Sequence, residues 1–258
     1  MKYAFLDHPG PIPFAHRGGA GIPENVGIEN TIRAFANAVQ LGYRYLETDV
    51  HATSDGVPIV FHDHTLDRVT DHHGVVAALS LAEARQVSVG GVEPIPTLVE
   101  ALETFPEARF NIDVKTELVV PPLVDIVNRM NARDRVCISS FSGRRLLLVR
   151  RMLGPGVATS LSPREIATRL LPSPLSLAQR LTTAGPCVQV PVGYGKLRIV
   201  TPDFLTRVHA AGKQVHVWTI NDAGSMHELF DMGVDGIITD RPDILREVLA
   251  ERGQWVPA

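Results

Sequence analysis

The sequence predicts a (β/α)8 barrel that forms one domain over residues 1–258. Three observations lead to this fold class. Short β-like runs alternate with helical patterns along the whole chain, and eight strand candidates are each followed by helix. A length of 258 residues suits one large α/β domain with a sizeable core. The rival architecture, a doubly wound open sheet, calls for a glycine-rich dinucleotide fingerprint, and Gly18-Gly19-Ala20-Gly21 is too weak to supply it.

The elements follow in order. Pro13 to Ala15 reads as the first strand. Thr31 to Leu41 is helical, because Ile32, Phe35, Ala36 and Val39 share one stripe; Asn30 or Thr31 caps its start and Gly42 its end. Tyr43 to Val50 is the second strand, which Val57 to Phe61 continues or returns. Leu81 to Val87 and Thr97 to Phe105 are short helices, the latter opened by a Thr97/Glu100 capping box. Arg109–Val114, Arg135–Ser139, Val157–Ser160, Pro186–Val190, Gln214–Thr219 and Gly236–Thr239 are the remaining strands. Helices at 119–130, 143–153, 163–181 (broken by Pro172 and Pro174), 202–211, 223–232 and 243–249 separate or close them.

Composition removes several function classes. The net charge is −3, and no basic segment is interleaved with aromatics, so a nucleic-acid partner is not expected. The N-terminus has no cationic stretch ahead of a long apolar one, and no apolar run is long enough to span a bilayer. The expectation is a cytoplasmic protein with no stable membrane insertion. Cys137 and Cys187 sit in apolar runs and read as reduced core thiols on strands.

The chemistry gathers at strand ends. Residues two apart on a strand face the same way, so Glu47 and Asp49 project together, as do Asp113 and Lys115. In a barrel, the C-terminal strand ends build the active site, which brings three carboxylates to one rim. A hard divalent cation, magnesium or calcium, removes their mutual repulsion. The competing reading pairs Glu47 and Asp49 with a surface arginine such as Arg44. His16 and Arg17 follow the first strand, where arginine grips phosphate and histidine moves a proton near neutral pH. His62 is a second proton carrier on the same rim; the competing reading makes His62 and His64 a metal-ligand pair. Trp218 shares strand parity with His216 and is either an apolar wall for substrate or a core residue. Asp240 is assigned no chemistry.

These residues resemble the glycerophosphodiester phosphodiesterase family. The matches are His16-Arg17-Gly18, Glu29-Asn30-Thr31, Glu47-Thr48-Asp49-Val50, Phe61-His62-Asp63, Leu66-Asp67-Arg68, Ile95-Pro96-Thr97-Leu98, Asp113-Val114-Lys115, Val217-Trp218-Thr219 and Gly233 to Pro242. They keep the family's order over nearly the whole chain. The resemblance implies a (β/α)8 TIM barrel that hydrolyses glycerophosphodiesters to glycerol 3-phosphate and an alcohol. It implies one divalent cation, Mg2+ or Ca2+, on Glu47, Asp49 and Asp113. His16 and His62 match the acid–base pair, Arg17 and Lys115 the phosphate-contacting cations, and Trp218 the substrate wall. Two positions depart from the pattern. Asp113 stands where glutamate is usual, and Ile28 replaces the proline before Glu29, after a lengthened segment from Gly21.

The mechanism expected is metal-assisted hydrolysis with His16 as base and His62 as acid, the nucleophile being the glycerol 2-hydroxyl or water. Two alternatives are a phospholipase D-like lyase that forms a cyclic phosphate from lysophospholipids, and a non-catalytic barrel that binds a phosphate ligand. A lipid substrate calls for an apolar rim, and the long loops read as mostly polar.

Overall fold

The computed structural model describes residues 3–170 and 185–257. Its main sheet is a ring of parallel strands: β1 (Ile12–Ala15), β2 (Tyr45–Ala52), β3 (Arg109–Val114), β4 (Val136–Ser139), β5 (Ala158–Thr159), β6 (Cys187–Pro191), β7 (Gln214–Trp218) and β8 (Gly236–Thr239). Each pairs with its sequence neighbours, and β8 returns to β1 with Ile12 opposite Gly236 and Ala15 opposite Thr239. The seam between β5 and β6 is closed by a single parallel bridge, Ser160 to Cys187. The (β/α)8 barrel is therefore present and nearly closed.

Helices pack outside the ring, and their ends follow local signals. Thr31 caps the helix Ile32–Gln40 by accepting from the Ala34 N–H, which settles the choice between Asn30 and Thr31. Thr97 and Glu100 form the expected capping box on Leu98–Thr104. The segment after β2 returns rather than continues: Pro58–Val60 runs antiparallel to β2, with His51 opposite Ile59. The helix from Pro163 is described to Leu170; its expected continuation past Pro172 and Pro174 lies outside the described residues. A short hairpin, Gly193–Tyr194 with Leu197–Arg198, follows β6 and was not anticipated from the sequence.

Side chains inside the barrel change character from one end to the other. Near the strand starts, Phe5 from an N-terminal turn meets Tyr45 edge-on at 5.4 Å and Phe14 at 6.3 Å. The Tyr45 hydroxyl donates to the Phe5 carbonyl, so the turn plugs that end. Cys137 and Cys187 are free, buried strand residues, as expected, with sulfurs 3.8 Å apart. Higher up, the Gln189 amide donates to Asn111 Oδ1 at 2.9 Å and neighbours the His216 ring. Buried polar groups paired in this way carry little desolvation penalty. The last interior layer, at the C-terminal strand ends, is charged.

Candidate active site

The chain leaves β1 through a turn, His16–Gly18, in which Arg17, Gly18 and Gly19 take left-handed φ of 52°, 85° and 87°. For arginine this conformation costs about 1–2 kcal/mol. Gly18 and Gly19 permit the wedge. A Cβ on Gly18 would meet the Ala34 carbonyl carbon at 2.8 Å, and one on Gly19 the Pro242 ring at 2.5 Å. The turn thus fits between the helices Ile32–Gln40 and Pro242–Glu251. It sets His16 and Arg17 over the strand ends, where the Arg17 backbone N–H donates to Glu47 Oε2 at 3.1 Å.

The three predicted carboxylates share one end of the barrel. Glu47 and Asp49 follow the alternation of β2, and Asp49 stands opposite Asp113 in the β2–β3 register. All three are buried. Arg44 does not pair with them; its Nε donates to the Glu107 carbonyl. Lys115 places its ammonium 2.7 Å from both Asp49 and Asp113. Asn30, itself at a positive φ of 60°, donates to Asp49 Oδ2 at 2.9 Å and accepts from Thr48. Burial works against ionised Asp49, but Lys115 and Arg17 outweigh it and hold its carboxyl below the ordinary range. Burial, reinforced by Asp49, pushes Glu47 up to about 7. Burial also raises Asp113.

Each predicted proton carrier is anchored through Nδ1. His16 Nδ1 lies 2.6 Å from Asp240 Oδ1, and its Nε2 lies 3.7 Å from Glu47. His62 Nδ1 lies 2.5 Å from Asp63 Oδ1. A carboxylate at Nδ1 selects the tautomer that keeps the proton there and leaves the Nε2 lone pair open. The two rings are tuned apart. Burial opposes protonation of His16, but the Glu47 and Asp240 carboxylates overcome it and raise its pKa. Burial lowers that of His62, against the pull of Asp49 and Asp63. Near neutral pH this separation favours the protonated form of His16 and the neutral form of His62. The His64 ring stands 5.3 Å from that of His51.

The positions of several site residues were in the sequence reading or beside it, but their bracing roles were not. Asp240 does not pair with Arg241, which binds Asp243. It holds His16 and is held in turn by Asn221 Nδ2 at 2.9 Å. Asp63 is clamped by Arg68 Nε at 2.7 Å, and Arg68 reaches across to Glu29 at 2.6 and 2.9 Å. Glu29 also accepts from Arg17 at 2.9 Å, so one ionic chain joins the His62 loop to the His16 turn. The signal missed was topological. Asp240 follows β8 as His16 follows β1, and only the ring closure makes those strand ends neighbours. Trp218 ends β7 half-buried, its ring 5.8 Å from exposed Phe141.

The donor set is one a hard cation takes: three buried carboxylates, two of which, Glu47 and Asp113, burial holds above their ordinary pKa. Arg17 Nε is buried 3.5 Å from Asp49 Oδ2, with no hydrogen-bond partner among the described residues. Among those residues, no three carboxylate, histidine or cysteine ligands stand already arrayed around one point. The Lys115 ammonium sits between the two aspartates.

The sequence model of the glycerophosphoryl diester phosphodiesterase family matches residues 16–244. A Mycobacterium tuberculosis protein named "Probable glycerophosphodiester phosphodiesterase 2" is 41% identical over 254 residues, covering 97% of this chain and 95% of its own. The glycerophosphodiester phosphodiesterase of Caldanaerobacter subterraneus is 32% identical, covering 93% and 98%. The solved structure of an Oleispira antarctica phosphodiesterase, in complex with the product sn-glycerol-3-phosphate, superposes with a TM-score of 0.78 at 26% identity, covering 93% and 97%. By the extent of the sequence match and by the barrel it folds into, this chain belongs to the glycerophosphoryl diester phosphodiesterase family.

Proposed function

We propose that this protein hydrolyses glycerophosphodiesters to glycerol 3-phosphate and an alcohol, with His16 and His62 as proton carriers and a divalent cation on Glu47, Asp49 and Asp113. One observation carries the reading. Two imidazoles, each fixed at Nδ1 by its own carboxylate, flank a buried carboxylate cluster that Arg17 and Lys115 complete. Binding alone requires no such pair, because a ligand site gains nothing from two oriented proton carriers.

Arg17 and Lys115 take the phosphate oxygens, where negative charge grows as the diester is attacked. His62, favoured in its neutral form, accepts the proton of the attacking hydroxyl at Nε2. His16, favoured in its protonated form, returns a proton from Nε2 to the departing alkoxide. An alkoxide leaves poorly at neutral pH, so this donation weighs as much as the charge stabilisation. When bound, the cation supplies Lewis-acid polarisation of the phosphoryl group. The Trp218 indole walls the organic part of the substrate.

The test is a panel of glycerophosphocholine, glycerophosphoethanolamine, glycerophosphoglycerol and glycerophosphoinositol, followed by phosphorus NMR with magnesium, calcium or EDTA. Glycerol 3-phosphate, released only with a divalent cation, is the expected product. A cyclic phosphate as the end product, or no turnover of any member, overturns the proposal.

A further inference from the structure

The charged groups of the site come from the ends of β1, β2, β3 and β8 and the turns after them, and exposed valines stand there too, Val26 (72%) after β1 and Val75 (54%) and Val92 (59%) between β2 and β3. The loops after β3, β4 and β6 expose Leu118 (77%), Phe141 (64%), Tyr194 (80%) and Leu197 (61%). The apolar tips are structurally linked. Phe141 packs on Trp218, Trp218 pairs in register with Pro191, and the hairpin begins two residues after Pro191. An ion pair of 3.2 Å between Glu117 and Arg144 ties the Leu118 loop to the Phe141 loop.

The hairpin is shaped to project. Gly193 pairs with Arg198 and Tyr194 with Leu197. A Cβ on Gly193 would meet the Leu197 carbonyl oxygen at 2.7 Å, so glycine is required for the ribbon to close. Tyr194, Lys196, Leu197 and Arg198 are all exposed. None of them fills a core, so folding does not dictate their character. An aromatic and a leucine left in water are a liability unless something covers them.

We propose that this hairpin docks the barrel, mouth first, on an anionic lipid bilayer. Charge argues for that occupant. Residues 193–198 carry two cations and no acid, in a chain whose net charge is −3. Composition agrees: tyrosine and leucine seat at the headgroup boundary while lysine and arginine extend to the phosphates. Each such cation multiplies partitioning onto an anionic surface about fivefold. Docked this way, the site opens onto the layer where glycerophosphoryl headgroups lie. The contact is peripheral; no helix among the described residues is long and apolar enough to cross a membrane.

The experiment is co-sedimentation of the full chain with vesicles of phosphatidylcholine and phosphatidylglycerol in equal parts, and with pure phosphatidylcholine vesicles. The wild type is expected to pellet with the anionic vesicles, less so as salt rises, and to stay in solution with the neutral ones. The double variants Tyr194→Ser/Leu197→Ser and Lys196→Glu/Arg198→Glu should each lower the bound fraction about tenfold or more. Unchanged circular-dichroism melts in both variants keep the loss separate from unfolding and from any question of activity. Wild type that stays in solution with anionic vesicles, variants that pellet as the wild type does, or light scattering that shows a dimer broken by the same variants would each overturn the proposal.

Discussion

His16 and Asp240 lie 224 residues apart in the chain, yet their side chains meet at 2.6 Å. The contact fixes the tautomer and ring direction of His16. Asp240→Asn keeps the shape but replaces an acceptor oxygen with a donor, which turns the ring or swaps its proton. The expected outcome is a fall in kcat of about a hundredfold with little change in KM, measured on glycerophosphocholine. His16→Ala and His62→Ala should each cost about a hundredfold or more. Near wild-type turnover in either would remove that histidine from the mechanism.

Arg68 acts at one remove. It spans Asp63 and Glu29 and so holds both the His62 loop and the partner of Arg17. Arg68→Ala is expected to lower kcat about tenfold through misplacement of His62. Its melting temperature should barely move, since the arginine is half exposed. Arg68→Lys should recover only part of the rate, because an ammonium lacks the planar fork that serves two carboxylates. Equal rates in all three proteins would show the clamp to be idle.

The carboxylate cluster makes a prediction about metal. EDTA should abolish turnover, and added magnesium or calcium should restore it. Asp113→Ala should raise the cation concentration needed for half-maximal rate about tenfold or more. An unchanged metal titration in that variant would take Asp113 out of the ligand set.

His51 gives a pH dependence of stability. Its ring donates to the His62 carbonyl, and burial lowers its pKa from 6.5 to about 4. Between those values the unfolded chain binds a proton that the folded chain refuses. Stability contributed by neutral His51 is therefore full above pH 6.5 and lost as pH falls toward 4, by up to about 3 kcal/mol. Melts of wild type and His51→Gln at pH 7 and pH 5 check this. The wild type should lose more melting temperature on acidification; equal losses would refute the assignment.

Much of the barrel was legible in the sequence because each strand is a short apolar run bounded by turn residues. Arg109–Val114 and Gly143–Leu153 fall where periodicity puts them, and Thr97 with Glu100 announces its own helix start. Strand parity placed Glu47, Asp49, Asp113 and Lys115 on one face without any coordinates. The braces were not legible. Asp63, Arg68 and Glu29 meet through loop conformation, and Asp240 meets His16 only through ring closure, neither of which leaves a periodic trace. The hairpin after β6 escaped for a related reason. Six residues with a single turn give too little alternation to stand out.

Ring closure also governs when chemistry begins. During synthesis the ribosome releases His16 early and Asp240 almost last, so the imidazole has no carboxylate at Nδ1 until the last strand is made. On the proposed mechanism, full competence waits for that final strand.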